Sequence, residues 1–359
     1  MTVYFKALAA LLVFFPSINF AAPVMPGKSP GSDQILYLQN DFYRNVTNRK
    51  SVSGHNKSLL ERAPGSGSVK IVDLGDDFRA FLTEAENADP ETQFAAWNTL
   101  EAKYPPHLLK TIFHTDAQGL EAAKKKKLAR FMADLPEVKD KTLRLFDAGP
   151  AAIKNTFVRF KNAFPDYSEN ISIYILPSLF TFNAIAWPGA IAFGPDFMVR
   201  VGETEEDFPV ITSHELFHTY SYSKIPGELK TLAAALWLEG SATYVSGFIN
   251  PGTSEAAALM DPVLALRCSD PDYVKALAAQ YRPLMAKTEE DPEAESLYKT
   301  WYQYSNDGTP ENPSRKGYCL GLHVFRRLSS KYPIETMMTW PETEFSKAMD
   351  ATLAEMSAD

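Results

Sequence analysis

Between Phe208 and Phe248 the chain carries two apolar stretches separated by a turn signal, with a few ionisable groups set inside them. Phe208, Val210, Ile211, Leu216 and Phe217 suit a buried helix. Within it lies Ser213-His214-Glu215-Leu216-Phe217-His218-Thr219-Tyr220. An α-helix turns once in about 3.6 residues, so His214 and His218 leave nearly the same face and can present two imidazoles to one cation. Glu215 then stands beside that cation, placed to take a proton from a metal-bound water. Ile225-Pro226-Gly227 ends the first stretch, and Leu229 to Phe248 reads as a second helix packed beside it. Glu239 sits there among Trp237, Leu238, Gly240 and Ala242. A carboxylate in such company needs a partner, whereas on an amphipathic helix it would be a surface acid. As a catalytic zinc takes three protein ligands and an open position, His214, His218 and Glu239 form the candidate set for one Zn²⁺.

These motifs resemble the glutamate-ligand zinc metallopeptidases (gluzincins), whose prototype is thermolysin. The finer similarity is to the bacterial family of predicted zinc-dependent proteases. In that family an H-E-x-x-H helix is followed by a helix beginning E-G-x-A and later by a Tyr-x-x-Gly helix. The matching pieces are Ser213 to Tyr220, Glu239 to Tyr244, and Gly317 to Leu328 with Tyr318 and Gly321. The resemblance spans about residues 70 to 345, and only the two metal helices are specific. It implies a protease-type site more firmly than a substrate. No Gly-Ala-Met-Glu-Asn signature is present, which disfavours the aminopeptidase branch. Nor does H-E-x-x-H continue into the three-histidine metzincin pattern.

Length and charge bound the rest. At 359 residues the chain can bury a substantial core, as one large or two modest domains. A formal charge of −8 without a basic cluster argues against nucleic acid and gives no attraction to anionic lipid. Lys6, the apolar run Ala7 to Phe15, Pro16 and the small pair Ala21 and Ala22 read as an export signal over residues 1–22. The run is too short to span a bilayer, so the expectation is cleavage, a periplasmic or secreted location and no stable membrane insertion. In that compartment Cys268 and Cys319 are expected to form one disulfide, the alternative being two buried thiols.

Residues 23–69 are dense in Gly, Ser, Pro and Asn and read as a mobile segment. Residues 70–165 read as a helical subdomain after a strand from Val69 to Leu74. Its helices include Leu120 to Leu135, Val138 to Phe146 and Ala151 to Phe164. Lys124 to Lys127 read as a solvated face. The catalytic region is placed at 166–359, with 70–359 forming one compact unit. There the period changes to two, giving strands at Asn170 to Leu176, Phe180 to Ala186 and Ala190 to Phe193, read as an antiparallel meander. By the resemblance, Ala190 to Gly194 is the candidate edge for an extended substrate, a structural core strand being the other reading. The acids Glu203 to Asp207 suit the positive end of the next helix. Asp261 to Met285 reads as helical. Thr288 to Lys316 reads as a long polar excursion whose Tyr298, Trp301, Tyr302 and Tyr304 pack over something, and Gly317 to Leu328 as the last strong helix. The expected class is α+β, mainly helical, with a small antiparallel sheet before a zincin-type helix.

The expected function is hydrolysis of peptide bonds in a peptide or protein. Glu215 is the general base, and Tyr318 and His323 are the candidate oxyanion donors. The competing expectation is an exported scaffold or binding protein that keeps a zinc-binding helix pair without catalysis.

Overall fold

A computed structural model describes residues 67–358 except 114–119, 228, 289 and 304–308, together with Leu12–Val13. The export signal expected over 1–22 and the segment 23–69 lie outside the described residues, apart from Leu12–Val13 and 67–69. Tyr304 also lies outside them.

Besides the two-residue strand Leu12–Val13, four strands make the sheet: β1 (Val69–Asp73), β2 (Ile171–Ile175), β3 (Ala184–Trp187) and β4 (Ala190–Phe193). In β2 the three isoleucines are buried and the residues between them half-buried, the period-two signature of a strand with one face on a core. The spatial order is β3-β4-β2-β1. The expected antiparallel meander holds only for the β3–β4 hairpin, because β4 pairs parallel with β2 and β2 parallel with β1. After β2 the chain does not reverse directly. It runs through residues 176–183, where Leu179 and Phe180 adopt φ of 52° and 54°. Left-handed backbone at consecutive non-glycine residues costs energy, and here the buried Asp196 carboxylate accepts from the Ser178 and Phe180 amides, both at 2.7 Å.

This topology corrects the expected edge. Ala190–Phe193 is buried throughout and paired on both sides, as suits its unbroken apolar run. On the far side of β4 lies β3, and Leu12–Val13 pairs antiparallel with its outer side, Leu12 opposite Ile185 and Val13 opposite Ala184, while β1 forms the opposite edge.

Fifteen α-helices among the described residues surround this sheet. The N-terminal group is α1 (Gly75–Ala85), α2 (Pro90–Glu101), α3 (Pro106–Phe113), α4 (Leu120–Asp134) and α5 (Lys139–Ala163). The two helices expected between Val138 and Phe164 are one, running through Pro150. Proline removes one helical hydrogen bond and crowds the preceding turn. Packing offsets this: a side chain at the buried Gly149 would meet Ile175 Cδ1 at 3.0 Å and Phe208 Cζ at 3.1 Å, so α5 lies close against its neighbours there. The lysine run on α4 is a solvated face only in part: Lys126 is exposed and Lys125 lies at the surface, whereas Lys124 and Lys127 turn inward. Lys124 pairs with Glu101, Lys125 with Glu91 at 3.0 Å, and Lys127 donates to Thr181 Oγ1 at 2.6 Å.

After the sheet come α6 (Pro195–Arg200), α7 (Phe208–Lys224) and α8 (Leu232–Ile249). Then follow α9 (Glu255–Leu259), α10 (Pro262–Cys268), α11 (Pro271–Tyr281) and α12 (Ala294–Tyr302). The last three are α13 (Lys316–Ser329), α14 (Ile334–Met337) and α15 (Glu342–Ala358). Asp261 to Met285 is thus broken, since Asp270 caps a new helix that starts at Pro271. The expected polar excursion contains α12, whose Tyr298, Trp301 and Tyr302 are buried. Residues from both expected sub-regions, Leu74 to Met356, share one buried apolar core. No helix among the described residues is long and apolar enough to cross a membrane.

Helices α8 and α13 meet backbone to backbone. A Cβ on Gly240 would lie 2.6 Å from Gly321 Cα, and one on Gly321 would lie 2.5 Å from Gly240 Cα. Neither neighbour is a flexible tip that can turn away, so only glycine fits at both positions. Gly240→Ala is therefore expected to destabilise the fold by about 3 kcal/mol, the upper range for overpacking. A denaturant midpoint within error of wild type would show that the helices can separate at little cost.

Candidate metal centre

Helix α7 packs on α5, β3 and α8, which leaves its middle turns without a solvent face. Polar ties fix its setting. Asn250 at the end of α8 donates to Ser213 Oγ at 2.9 Å, and the Tyr167 hydroxyl lies 2.9 Å from Thr219 Oγ1. Thr231 caps α8 by accepting from the Ala234 amide. Glu239 is then carried two turns into α8, on the side of His214.

The three expected ligands converge. One ligand atom from each of His214, His218 and Glu239 lies within 4.8 Å of the other two. The imidazole centroids are 4.6 Å apart, and His214 Nε2 stands 3.4 Å from Glu239 Oε2. Ligand atoms around a tetrahedral zinc stand about 3.3 Å apart, so the separations suit such an ion. His214, Glu215 and His218 have no exposed surface and Glu239 is 2% exposed.

The chemistry of the donors supports a cation more strongly than their spacing does. Both nitrogens of His214, both of His218, both oxygens of Glu215 and Oε2 of Glu239 are buried without a hydrogen-bond partner. Buried polar atoms are nearly always satisfied, and each orphan costs roughly 1–3 kcal/mol. An ion pair between His214 and Glu239 does not explain them, because it needs a protonated imidazole. Burial holds His214 below its ordinary pKa despite the pull of Glu239, and burial and then His214 hold His218 well below its own. Two neutral imidazoles and a carboxylate are what a divalent ion binds. Burial, and then the charge of Glu239, push the Glu215 carboxyl well up. It is not part of the group of three whose ligand atoms lie together.

Aromatic side chains line the rest. The Tyr318 ring stacks on His214, centroids 6.0 Å apart and planes 16° off parallel. Tyr222 continues the i, i+4 series of His214 and His218, with its ring 6.2 Å from that of His218. Tyr298 and Tyr302 arrive on α12. Burial raises the pKa of all four hydroxyls, and the charge of Glu239 raises each further. Of the aromatics of the expected excursion, Tyr298 and Tyr302 thus lie near Glu239. Tyr222 was legible in its spacing, whereas nothing in the local sequence ties Tyr298 and Tyr302 to this site.

The second expected donor does not join the centre. The His323 ring nitrogen Nε2 sits 3.1 Å from the Cys268 carbonyl oxygen, in a cluster with Cys268 and Cys319. It follows Tyr318 by five residues, which turns it to another face of α13. The expected Cys268–Cys319 disulfide is present and ties α10 to α13, with Cα atoms 5.7 Å apart.

The acids before α7 are not simple helix caps. Asp207 makes no cap hydrogen bond to α7, and its carboxylate accepts from the Thr204 amide at 2.8 Å. Glu203 accepts from Asn183 Nδ2 at 3.0 Å, and its Oε2 is closed to solvent. Burial pushes its pKa up to about 8, the Arg315 guanidinium acting weakly the other way.

No family model, no curated protein and no solved structure matches this chain.

Two outcomes are expected. Zinc at about a hundred times its Kd should stabilise the protein by about 2.7 kcal/mol, and Glu239→Ala should remove most of that gain. A thermal-shift series with zinc and with chelator reads it, and an unchanged gain would take Glu239 out of the ligand set. The second concerns Glu203, whose folded pKa of about 8 lies above the ordinary carboxylate value. Stability from such a group is complete at pH below about 4 and is lost as pH rises through 8. Glu203→Gln should accordingly gain on wild type between pH 5 and 8 in denaturant midpoint, and a constant difference would contradict the burial.

Proposed function

We propose that the chain is an exported zinc metallopeptidase that hydrolyses peptide bonds in a peptide or protein substrate. The observation that carries this reading is the convergence of two neutral imidazoles and a carboxylate, all buried, beside a second carboxylate whose oxygens have no other partner. His214, His218 and Glu239 would hold the ion, which supplies Lewis acidity and an acidified water at neutral pH. Glu215 takes the proton of the attacking water on a carboxylate oxygen and delivers it to the departing amine nitrogen. Its apolar setting favours the protonated carboxyl, which helps it to hold that proton between the two steps. Tyr318, stacked on His214, is the donor for the developing oxyanion. The substrate chain would take the place of Leu12–Val13 on the outer side of β3, the strand beside α7, through backbone hydrogen bonds. The antiparallel pairing of Leu12–Val13 at that edge supports the choice of β3.

One observation favours the other reading, an exported scaffold with a structural ion. The ligands and Glu215 are closed to solvent, so a substrate can reach them only after the covering side chains move. A structural zinc takes four protein ligands, and Glu215 is the carboxylate at hand to be the fourth.

Glu215→Gln separates the two. As a metallopeptidase the variant should retain wild-type zinc content and lose turnover by about 10²- to 10⁴-fold, the usual worth of a positioned acid–base group. A peptide-library cleavage assay with and without chelator, together with metal analysis, reads both. Loss of zinc in the variant would make Glu215 a ligand and favour the scaffold.

A further inference from the structure

A buried arginine next to the centre belongs to no part of the mechanism above. Arg315 is 1% exposed, precedes α13, and holds φ at 58°, a left-handed conformation that a non-glycine residue adopts at a cost. That conformation turns the guanidinium back over its own helix. Its Cζ lies 3.9 Å from the centroid of the Tyr318 ring, and Nη1 donates to the Leu259 carbonyl at 3.2 Å. Tyr318 in turn lies nearly parallel to His214. A permanent cation is therefore one aromatic ring away from a metal ligand. Arginine keeps its charge at any working pH, and burying that charge is costly unless its surroundings use it.

Resting on the metallopeptidase reading, we propose that Arg315 is the positioning residue for Tyr318. Its guanidinium clamps the ring parallel to His214 and polarises the hydroxyl, so that this O–H meets the oxyanion formed at the scissile carbonyl. The guanidinium that lies over the Tyr318 ring is itself anchored on the Leu259 carbonyl, so ring and cation are held together. A hydroxyl beside a cation is a stronger donor, and it matters most where negative charge develops. A role confined to holding the Leu259 carbonyl would leave transition-state binding untouched.

The test compares Arg315→Met, Arg315→Lys, Tyr318→Phe and the Met/Phe double variant, each zinc-loaded and checked for zinc content and unfolding midpoint. The probes are a cleavable peptide, a phosphinate peptide whose anionic tetrahedral centre imitates the transition state, and the product peptide. Arg315→Met and Tyr318→Phe should each lower kcat and phosphinate affinity by about 10- to 100-fold, with KM and product affinity within about threefold. The double variant should lose little more than either single one, because the two residues act as a unit. Arg315→Lys should recover part of the loss by keeping the charge without the planar stack. Phosphinate affinity in Arg315→Met within about twofold of wild type, or losses that multiply in the double variant, would overturn the proposal. If Arg315→Met does not fold, Arg315→Lys against Tyr318→Phe carries the same comparison. Wild-type protein that neither cleaves the peptide nor binds the phosphinate would instead sink the metallopeptidase reading.

Discussion

Two imidazoles and two carboxylates are held between apolar helices with most of their polar atoms lacking a partner, and the rest of the architecture serves that arrangement. Left to themselves these groups would cost several kcal/mol, a large fraction of what a typical domain has to spare. A chain can keep such a defect only if something offsets it, and a divalent ion bound to neutral nitrogens and one carboxylate would do so directly. The apolar surroundings then work in favour of the site. Low dielectric keeps the histidines unprotonated, strengthens their hold on a cation, and leaves Glu215 inclined to carry a proton.

The close approach of α8 to α13 is the second requirement. Gly240 follows Glu239 directly and touches Gly321, which lies one helical turn after Tyr318. The contact that lets the backbones meet therefore also sets the distance from ligand to tyrosine. The disulfide at Cys319, the next residue, holds α13 from its other side through α10. Sheet and metal helix are coupled in a similar way. Asp196 secures the left-handed turn at Leu179 and Phe180, and that turn delivers β3 to the edge beside α7.

What could be read from sequence follows the range of the interactions involved. His214, Glu215 and His218 were legible because helical spacing alone decides which side chains share a face, and Glu239 because its neighbours are too apolar for a surface acid. Cys268 and Cys319 were legible from their number and the expected compartment. The mainly helical character with a small sheet was plain from the change of period near residue 170. Pairing was not: β4 looks like any short apolar strand, and its interior place depends on a parallel partner, β2, on one side and an antiparallel one, β3, on the other. Helix α5 runs through Pro150 because packing across the fold outweighs a local break, and no local rule contains that information. His323 shares a helix with Tyr318 yet faces the disulfide, since five residues do not return a side chain to the same face. Arg315 was passed over because it sits before the helix, where its left-handed backbone rather than its spacing aims it at Tyr318.

The charges around the centre can be set against one another. A divalent ion would be balanced by Glu239 and Glu215 when both are ionised. Arg315 adds a positive charge at the ring that stacks on His214. A resting site of this kind is poorly matched to a neutral amide and well matched to the negative charge that grows on its oxygen during attack, which is the asymmetry that separates catalysis from mere binding. A structural metal site has no use for that asymmetry, because its four ligands complete the ion and any further cation only repels it. The placement of Arg315 over Tyr318 supports the proposed chemistry, against the solvent-closed geometry that speaks for a scaffold.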